Sequence, residues 1–462
     1  MSDLFQDLHS NGMIIGGGVT GLGAGCVSGV PVWEALEQAG GICSSYYIRH
    51  RGSVRLRECP EDGEVYRFEK GGGHWIFGQD PFVFRWIRQF VPVKSYKRRS
   101  SVYFSKDQRY VPFPLQNNLR YLPSGLARRA LREMEKSRKT YRTMREWLEV
   151  TFGPTLCKLF FYPFHSLYTA GLDDKIAPQD AYKSPVHMES VRRGARCETE
   201  TAGYNISYVY PECGLDTLVE RMADLCDLRL GFEVSSIDVV RREVHFSSGD
   251  SAPYNKILCT LPLNRTVALA GLTMDEEADP YTSVLVLNIG ALRGPACPED
   301  HWLYVPDSQS GFHRVGFYSN VDKSFLPKSL QDSGSHVSLY VERAYAMAVK
   351  PNTEEILAYS QSVIQELQSW GFIGEVEVLD PTWIDTAYTW SYPGSCWRGK
   401  AIRLLERYDI DCAGRYGRWT FQGIADSIRD GFLAGSCLKV SGDEKCYAEG
   451  SLFAATRLGW KK

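Results

Sequence analysis

The sequence predicts an α/β fold, a Rossmann-like parallel-sheet domain interleaved with a mixed-sheet and helical substrate domain. Three observations carry that prediction. The chain opens on strand, glycine turn, helix and strand; it returns to strand and helix after a helical interval; and residues 281–350 hold several strand-like runs. At 462 residues, with 44% hydrophobic and 23% charged, the chain buries a large core and divides into more than one domain.

The opening element is "MIIGGGVTGLGAG" at residues 13–25, with six glycines between positions 16 and 25. So much glycine is tolerated only where main chain approaches something closely. Gly16, Gly18 and Gly21 spell G-x-G-x-x-G between a strand and a helix, the pattern that seats a pyrophosphate on a helix N-terminus. Glu34 ends the next strand 18 residues after Gly16, close to the spacing at which an acid meets an adenosine ribose. The competing reading is a glycine turn that only packs helix on strand. After Glu34, Gly40-Gly41 followed by Ser44 and Ser45 form a second small-residue turn. Such a turn suits the rest of a pyrophosphate or a ribityl chain and favours FAD over a nicotinamide cofactor.

Residues 1–92 read as the first part of the nucleotide-binding domain, and 93–205 as a helical part of the substrate domain. Within the latter, "GLARRALREMEKSRKTYRTMREWLEVTFG" is a cationic helical stretch with a solvated face. Residues 206–275 return to the nucleotide domain, where "LRLGFEVSSIDVVRREVHFSSG" alternates as paired strands and "KILCTLPL" is a buried strand. Residues 276–390 form a second sheet through "SVLVLNIGAL", "HRVGFYSN" and "HVSLYVERAYAM", with "TEEILAYSQSVIQELQSWGF" as an amphipathic helix. Residues 391–435 complete the nucleotide domain and 436–462 are a terminal helix or tail.

Composition narrows the function. Lys+Arg 53 against Asp+Glu 55 leaves a formal charge of −2, which argues against a nucleic-acid partner. The 13 cysteines include no Cys-x-x-Cys pair, which suits reduced thiols and gives no zinc motif, so no metal is expected. No basic leader and no 18-residue apolar run occur, so the expectation is a cytoplasmic protein without membrane partners acting on a small molecule. Oligomeric state is open.

Scattered segments share one likeness. "GGGVTGL", "VPVWEALEQAGGICSS", "FEKGGGHWIF", "VPFPLQNNL", "YNISYVYPECGLDTL", "ILCTLPL" and "AGRYGRWTFQGIADSIRDG" together resemble the FAD-dependent UDP-galactopyranose mutase and protoporphyrinogen or amine oxidase group, over residues 13 to about 435. The resemblance implies an FAD domain assembled from separated segments. It also implies that Arg415 and Asp426, with Ser427 beside it, lie near the FAD, and that Val234 is where adenine meets backbone. A helix starting near Asp426 would stabilise an anionic reduced flavin; a plain N-cap is the other reading of that residue.

In "GGGHWIF" the resemblance lays the stretch against the flavin ring, so His74 is a candidate for cofactor contact and for proton transfer, or else a buried satisfied histidine. Trp75 would wall the cleft, or else belong to the core as a tryptophan beside an apolar run more often does. Arg314 and Arg343 are candidates to grip a substrate diphosphate, or members of ordinary ion pairs. His165, within "FFYPFHSLYTAGL", and Tyr318 add stacking and hydrogen-bonding surface, with aromatic core as the competing reading.

The resemblance leaves the reaction divided. The mutase carries tyrosines just before its flavin-contacting helix, where this chain reads Trp419-Thr420-Phe421-Gln422, and an asparagine where this chain has His165. The expectation is therefore an FAD-dependent oxidoreductase transferring hydride from a sugar, nucleotide sugar or amine. The alternative is a redox-neutral mutase-like isomerase, and a non-catalytic FAD protein is a third reading.

Overall fold

The computed structural model describes residues 12–440, apart from 79, 136–139, 180–185, 198–205 and 348. Most of the predicted tail, 441–462, lies outside the described residues.

A five-stranded parallel sheet forms the nucleotide-binding half, in the order Leu228–Arg229, Val32–Trp33, Gly12–Ile15, Lys256–Cys259, Ile410–Cys412. Its strands come from three distant stretches of chain. The helix Val19–Ser28 leaves the glycine turn and packs on the C-terminal helix Ile424–Val440. Glycine makes that contact possible: a Cβ on Gly431 would stand 2.2 Å from the Thr20 carbonyl oxygen, and one on Gly435 2.4 Å from that of Ala24. Part of the opening glycine richness thus serves helix packing, because Gly23 faces Ile428 and Gly431 across the same seam.

The second half is a seven-stranded sheet, in the order Ile373–Thr389, Tyr281–Arg293, His336–Ala346, Arg314–Phe317, Trp302–Tyr304, Ser100–Phe104, Arg109–Pro112. All neighbours are antiparallel except the pair of Trp302–Tyr304 with Ser100–Phe104. Helix Thr353–Ser369, held by a capping box of Asn352 and Glu355, buries Tyr359, Val363 and Leu367 against one face of this sheet with Leu285, Leu287 and Val341. The other face looks toward the nucleotide domain.

Smaller sheets join the halves. Ser45–Arg49 pairs with Arg55–Leu56 and Val65–Glu69, and Val93–Lys97 with Ser207–Pro211. The strand Val93–Lys97 forms because Ser207–Pro211 supplies a partner from more than a hundred residues away.

The cationic helical stretch is two helices, Ser124–Met134 and Met144–Leu156. The second is followed by a π-helical turn Cys157–Phe161 and the helix Tyr162–Tyr168. The "GRYGRWT" segment forms a helical turn at Gly414–Gly417 that Gly414 enters with φ +80°. Among the described residues no helix is long and apolar enough to cross a membrane.

Candidate active site

A cavity of ≈ 760 Å³ runs from the C-terminal ends of the parallel strands, at Gly16, Thr260 and Gly414, to the inner face of the seven-stranded sheet at Val284, Arg314 and Glu342. Helical residues Phe160 to Tyr168 close its far side. The C-terminal edge of a parallel sheet is where ligands collect in such folds, since loops and helix N-termini converge there.

At the nucleotide end, Gly18 is the N-cap of helix Val19–Ser28 and lines the cavity. No side chain caps this helix and no acid sits in its first turn, so its N–H groups and positive dipole end are left for a ligand. A Cβ on Gly18 would meet nothing within 4 Å, which marks open space reserved beside bare backbone. Gly41 lines the same wall. Glu34 is directed inward by the Gly17 N–H, which donates to its Oε2 at 2.7 Å, and the Leu36 N–H, which donates to its Oε1 at 2.9 Å. Gly21 is not on the wall; a Cβ there would fall 1.9 Å from the Gly16 carbonyl oxygen, so it seats the helix on the turn as its place in the motif implies.

The centre is built by the Gly71–Gly73 turn. It lies directly on the second sheet, because a Cβ on Gly73 would overlap the Tyr340 hydroxyl at 1.9 Å. This close approach carries His74 to the cavity wall. Its Nδ1 is buried without a hydrogen-bond partner, and burial, aided by the Arg415 charge, pushes its pKa down to about 4. The imidazole is therefore neutral at ordinary pH. Opposite, Arg415 donates to the Ala387 carbonyl at 2.9 Å and the Gln422 carbonyl at 3.2 Å while lying over the Phe421 ring. Ser427 donates to Gln422 Oε1 at 3.2 Å and also lines the wall.

At the substrate end, adjacent strands set Arg314 opposite Glu342, and His313 approaches the same carboxylate at 3.5 Å. Burial would raise the Glu342 pKa, but Arg314 and His313 overcome it and hold it at about 2. Aromatic rings complete the chamber, with Tyr168 against Tyr388 at 4.8 Å and Phe164 against Tyr304 at 5.5 Å between centroids. Trp75 reaches the wall but is 3% exposed and packs on Tyr208 and Tyr210. His165 lines the chamber with Nδ1 2.7 Å from the Phe161 carbonyl, and burial holds it neutral at about 4. A carbonyl can only accept, so Nδ1 carries the proton and Nε2 is left as an acceptor.

Besides Gly21, five predicted site residues stand off the wall. Arg343 follows Glu342 on one strand, so it points to the opposite face, where it donates to the Ser310 carbonyl and lies between the Tyr345 and Tyr359 rings. Tyr318 is fully buried, stacked on Phe325, and donates to Asn288 Oδ1 at 3.0 Å. Ser44 is turned back onto the Gly41 carbonyl. Val234 buries its side chain with Met13, Trp33 and Phe246 in the core beneath the parallel sheet. Asp426 is the third residue of helix Ile424–Val440 and not its N-cap; its carboxylate reaches back to accept the Gly423 N–H at 3.1 Å.

Glu342, His313, Tyr388 and Trp390 line the cavity although no sequence motif points to them. Glu342 had a signal, since a buried acid amid the apolar strand residues of "YVERAYAM" needs a cationic partner.

Residues 24–268, more than half of the chain, match the family of flavin containing amine oxidoreductases. The chain belongs to this family. FAD is the family's cofactor and this chain's. Among solved structures, this family member is similar to a reduced UDP-galactopyranose mutase, with 22% identity, a TM-score of 0.76 and coverage of 92% of this chain and 94% of that one. It also resembles an Exiguobacterium sp. 255-15 protein assigned as a protoporphyrinogen oxidase, with 15% identity, a TM-score of 0.67 and coverage of 94% and 99%. A putrescine oxidase variant matches with 14% identity, a TM-score of 0.56 and coverage of 93% and 99%. At these identities the likeness establishes the shared fold, which hosts both oxidative and redox-neutral chemistry.

Proposed function

We propose that the chain is an FAD-dependent oxidoreductase that oxidises a carbon bearing an amine or a hydroxyl in a small substrate held by the aromatic chamber. Bound FAD supplies a ring nitrogen that accepts hydride. The residues present fit that cofactor: the uncapped helix at Gly18 and the bare walls of Gly16 and Gly41 receive a pyrophosphate, Glu34 receives ribose hydroxyls, and the Arg415, Gly423 and Ser427 side receives the ring.

The chain's own groups then orient substrate and exclude water. Tyr168, Tyr304, Tyr388 and Trp390 present flat, electron-rich surfaces that suit an amine or a sugar face. Neutral His165 offers an acceptor at Nε2 for a substrate N–H or O–H. His74, neutral and with Nδ1 unpartnered, takes a proton or a hydrogen bond at that atom.

One observation carries the oxidative reading over an isomerase: both oxygens of Glu342 are engaged by Arg314, so that guanidinium is already neutralised, while Trp419-Thr420-Phe421-Gln422 brings no tyrosine hydroxyl to the entry of helix Ile424–Val440. The mutase-like reading, a redox-neutral rearrangement of a nucleotide sugar, is favoured by Arg98, a second guanidinium on the chamber wall suited to a diphosphate.

Anaerobic titration separates the two. Oxidised protein is offered amines, amino sugars and nucleotide sugars while the flavin absorption is followed, and dithionite-reduced protein is then assayed for sugar isomers. Stoichiometric bleaching that reverses with oxygen is the expected result. Turnover confined to the reduced protein, with a rearranged sugar as product, would overturn it.

A further inference from the structure

Remote from the cavity, three side chains from separate parts of the chain converge where the small sheet containing Ser45–Arg49 meets the seven-stranded sheet. His50 follows the strand Ser45–Arg49, His336 opens the strand His336–Ala346, and Glu377 lies in Ile373–Thr389. One nitrogen from each histidine and one oxygen from Glu377 all lie within 4.8 Å of one another. His50 Nε2 is 2.7 Å and His336 Nε2 3.4 Å from the same oxygen, Glu377 Oε1.

The second atoms of Glu377 and His336 are fixed by neighbours. Glu377 Oε2 accepts the Tyr66 hydroxyl at 2.7 Å, which turns Oε1 toward the histidines. His336 Nδ1 is paired with the Ser335 hydroxyl at 2.7 Å, which leaves Nε2 as the inward atom. This is the outer arrangement that orients metal-binding histidines and carboxylates, in which the second atom of each ligand is held by a hydrogen bond. The Glu377 side chain is 3% exposed, so its charge is removed from water and calls for a cation. Arg51 Nε, 4.0 Å away on a side chain 67% exposed, is only a loose partner.

We infer that His50, His336 and Glu377 form a binding site for a divalent transition metal of the zinc class, which clips the two sheets together. Tetrahedral zinc with ligands at roughly 2.0–2.1 Å separates its ligand atoms by about 3.4 Å. The pair of His336 and Glu377 already stands at 3.4 Å, and His50, on an exposed turn 2.7 Å from the same oxygen, can adjust within a group no wider than 4.8 Å. Two imidazoles and one carboxylate match the preference of zinc for nitrogen and oxygen donors and leave a fourth position for water. The sequence shows no metal motif because the ligands stand at 50, 336 and 377.

The test uses the full-length flavoprotein, stripped with chelator, kept under reductant and dialysed against zinc ions alone. Wild type is expected to hold about one zinc per chain more than His50→Gln and His336→Gln, and zinc should raise the thermal midpoint of wild type but of neither variant. Tyr66→Phe should weaken zinc binding by roughly 10-fold, and Arg51→Ala should tighten it. Equal zinc content and equal thermal shifts in wild type and His50→Gln would overturn the assignment. His50 lies on the surface, so that comparison holds even if His336→Gln fails to fold.

Discussion

Arg314 and Glu342 face each other on adjacent strands and meet through two hydrogen bonds, Nε to Oε2 at 2.9 Å and Nη2 to Oε1 at 2.5 Å, on the wall of the cavity. The pair is bidentate and shielded, so removing one partner strands the other. Arg314→Met should lower folding stability by about 3 to 5 kcal/mol in urea unfolding, and adding Glu342→Gln should recover much of the loss. Equal losses for the single and double variants would deny the coupling. The pH dependence has a definite sign. The Glu342 pKa falls from 4.5 to about 2 on folding, so its contribution is present above 4.5 and fades as pH drops toward 2.

Arg343 stands next to Glu342 but on the opposite face, so Arg343→Ala should leave substrate and flavin affinities unchanged. Any cost should appear as lower stability, through the lost contacts with Tyr345 and Tyr359. Flavin spectra and equilibrium unfolding of one preparation check both halves. A large loss of substrate affinity with stability intact would place Arg343 in the site after all.

Gly18 and Gly21 belong to one motif but should respond oppositely to valine. Gly18 has φ −71° and ψ 173°, open to any residue, and a Cβ there meets no atom of the described residues within 4 Å. Gly18→Val should therefore fold normally and fail to retain FAD. Gly21→Val forces a carbon to 1.9 Å from the Gly16 oxygen and should not yield stable protein. Circular dichroism with released-flavin absorbance distinguishes these outcomes. FAD retained at wild-type levels by Gly18→Val would make the turn a packing feature only.

His74 and His165 should stay neutral well below the usual 6.5, with NMR titration midpoints near the value of about 4 that burial imposes. Both favour the folded state in their neutral form, so the stability they contribute is full above 6.5 and is lost as pH falls through about 4. Imidazole nitrogen shifts, assigned with His74→Gln and His165→Gln, report each midpoint. A value near 6.5 for either would mean that water reaches the ring freely.

Local sequence was enough for what depends on neighbours along the chain. G-x-G-x-x-G at Gly16, Gly18 and Gly21 with Glu34 beyond it specified a nucleotide-binding turn, because strand, bare backbone and helix N-terminus follow one another within a few residues. The amphipathic period of Thr353–Ser369 and the alternation across Val234–Asp238 and Glu243–Phe246 were legible for the same reason. Which face of a strand meets the cavity depends on distant partners, and only the tertiary structure decided it. Arg314 and Arg343 are indistinguishable as candidates until helix Thr353–Ser369 covers one face of the sheet and the Gly71–Gly73 turn the other. Tyr318 likewise read as a surface for substrate until Asn288, thirty residues away, took its hydroxyl into the core. The three ligands of the inferred metal site share no local pattern at all, because their proximity is a product of sheet packing and is written nowhere along the chain.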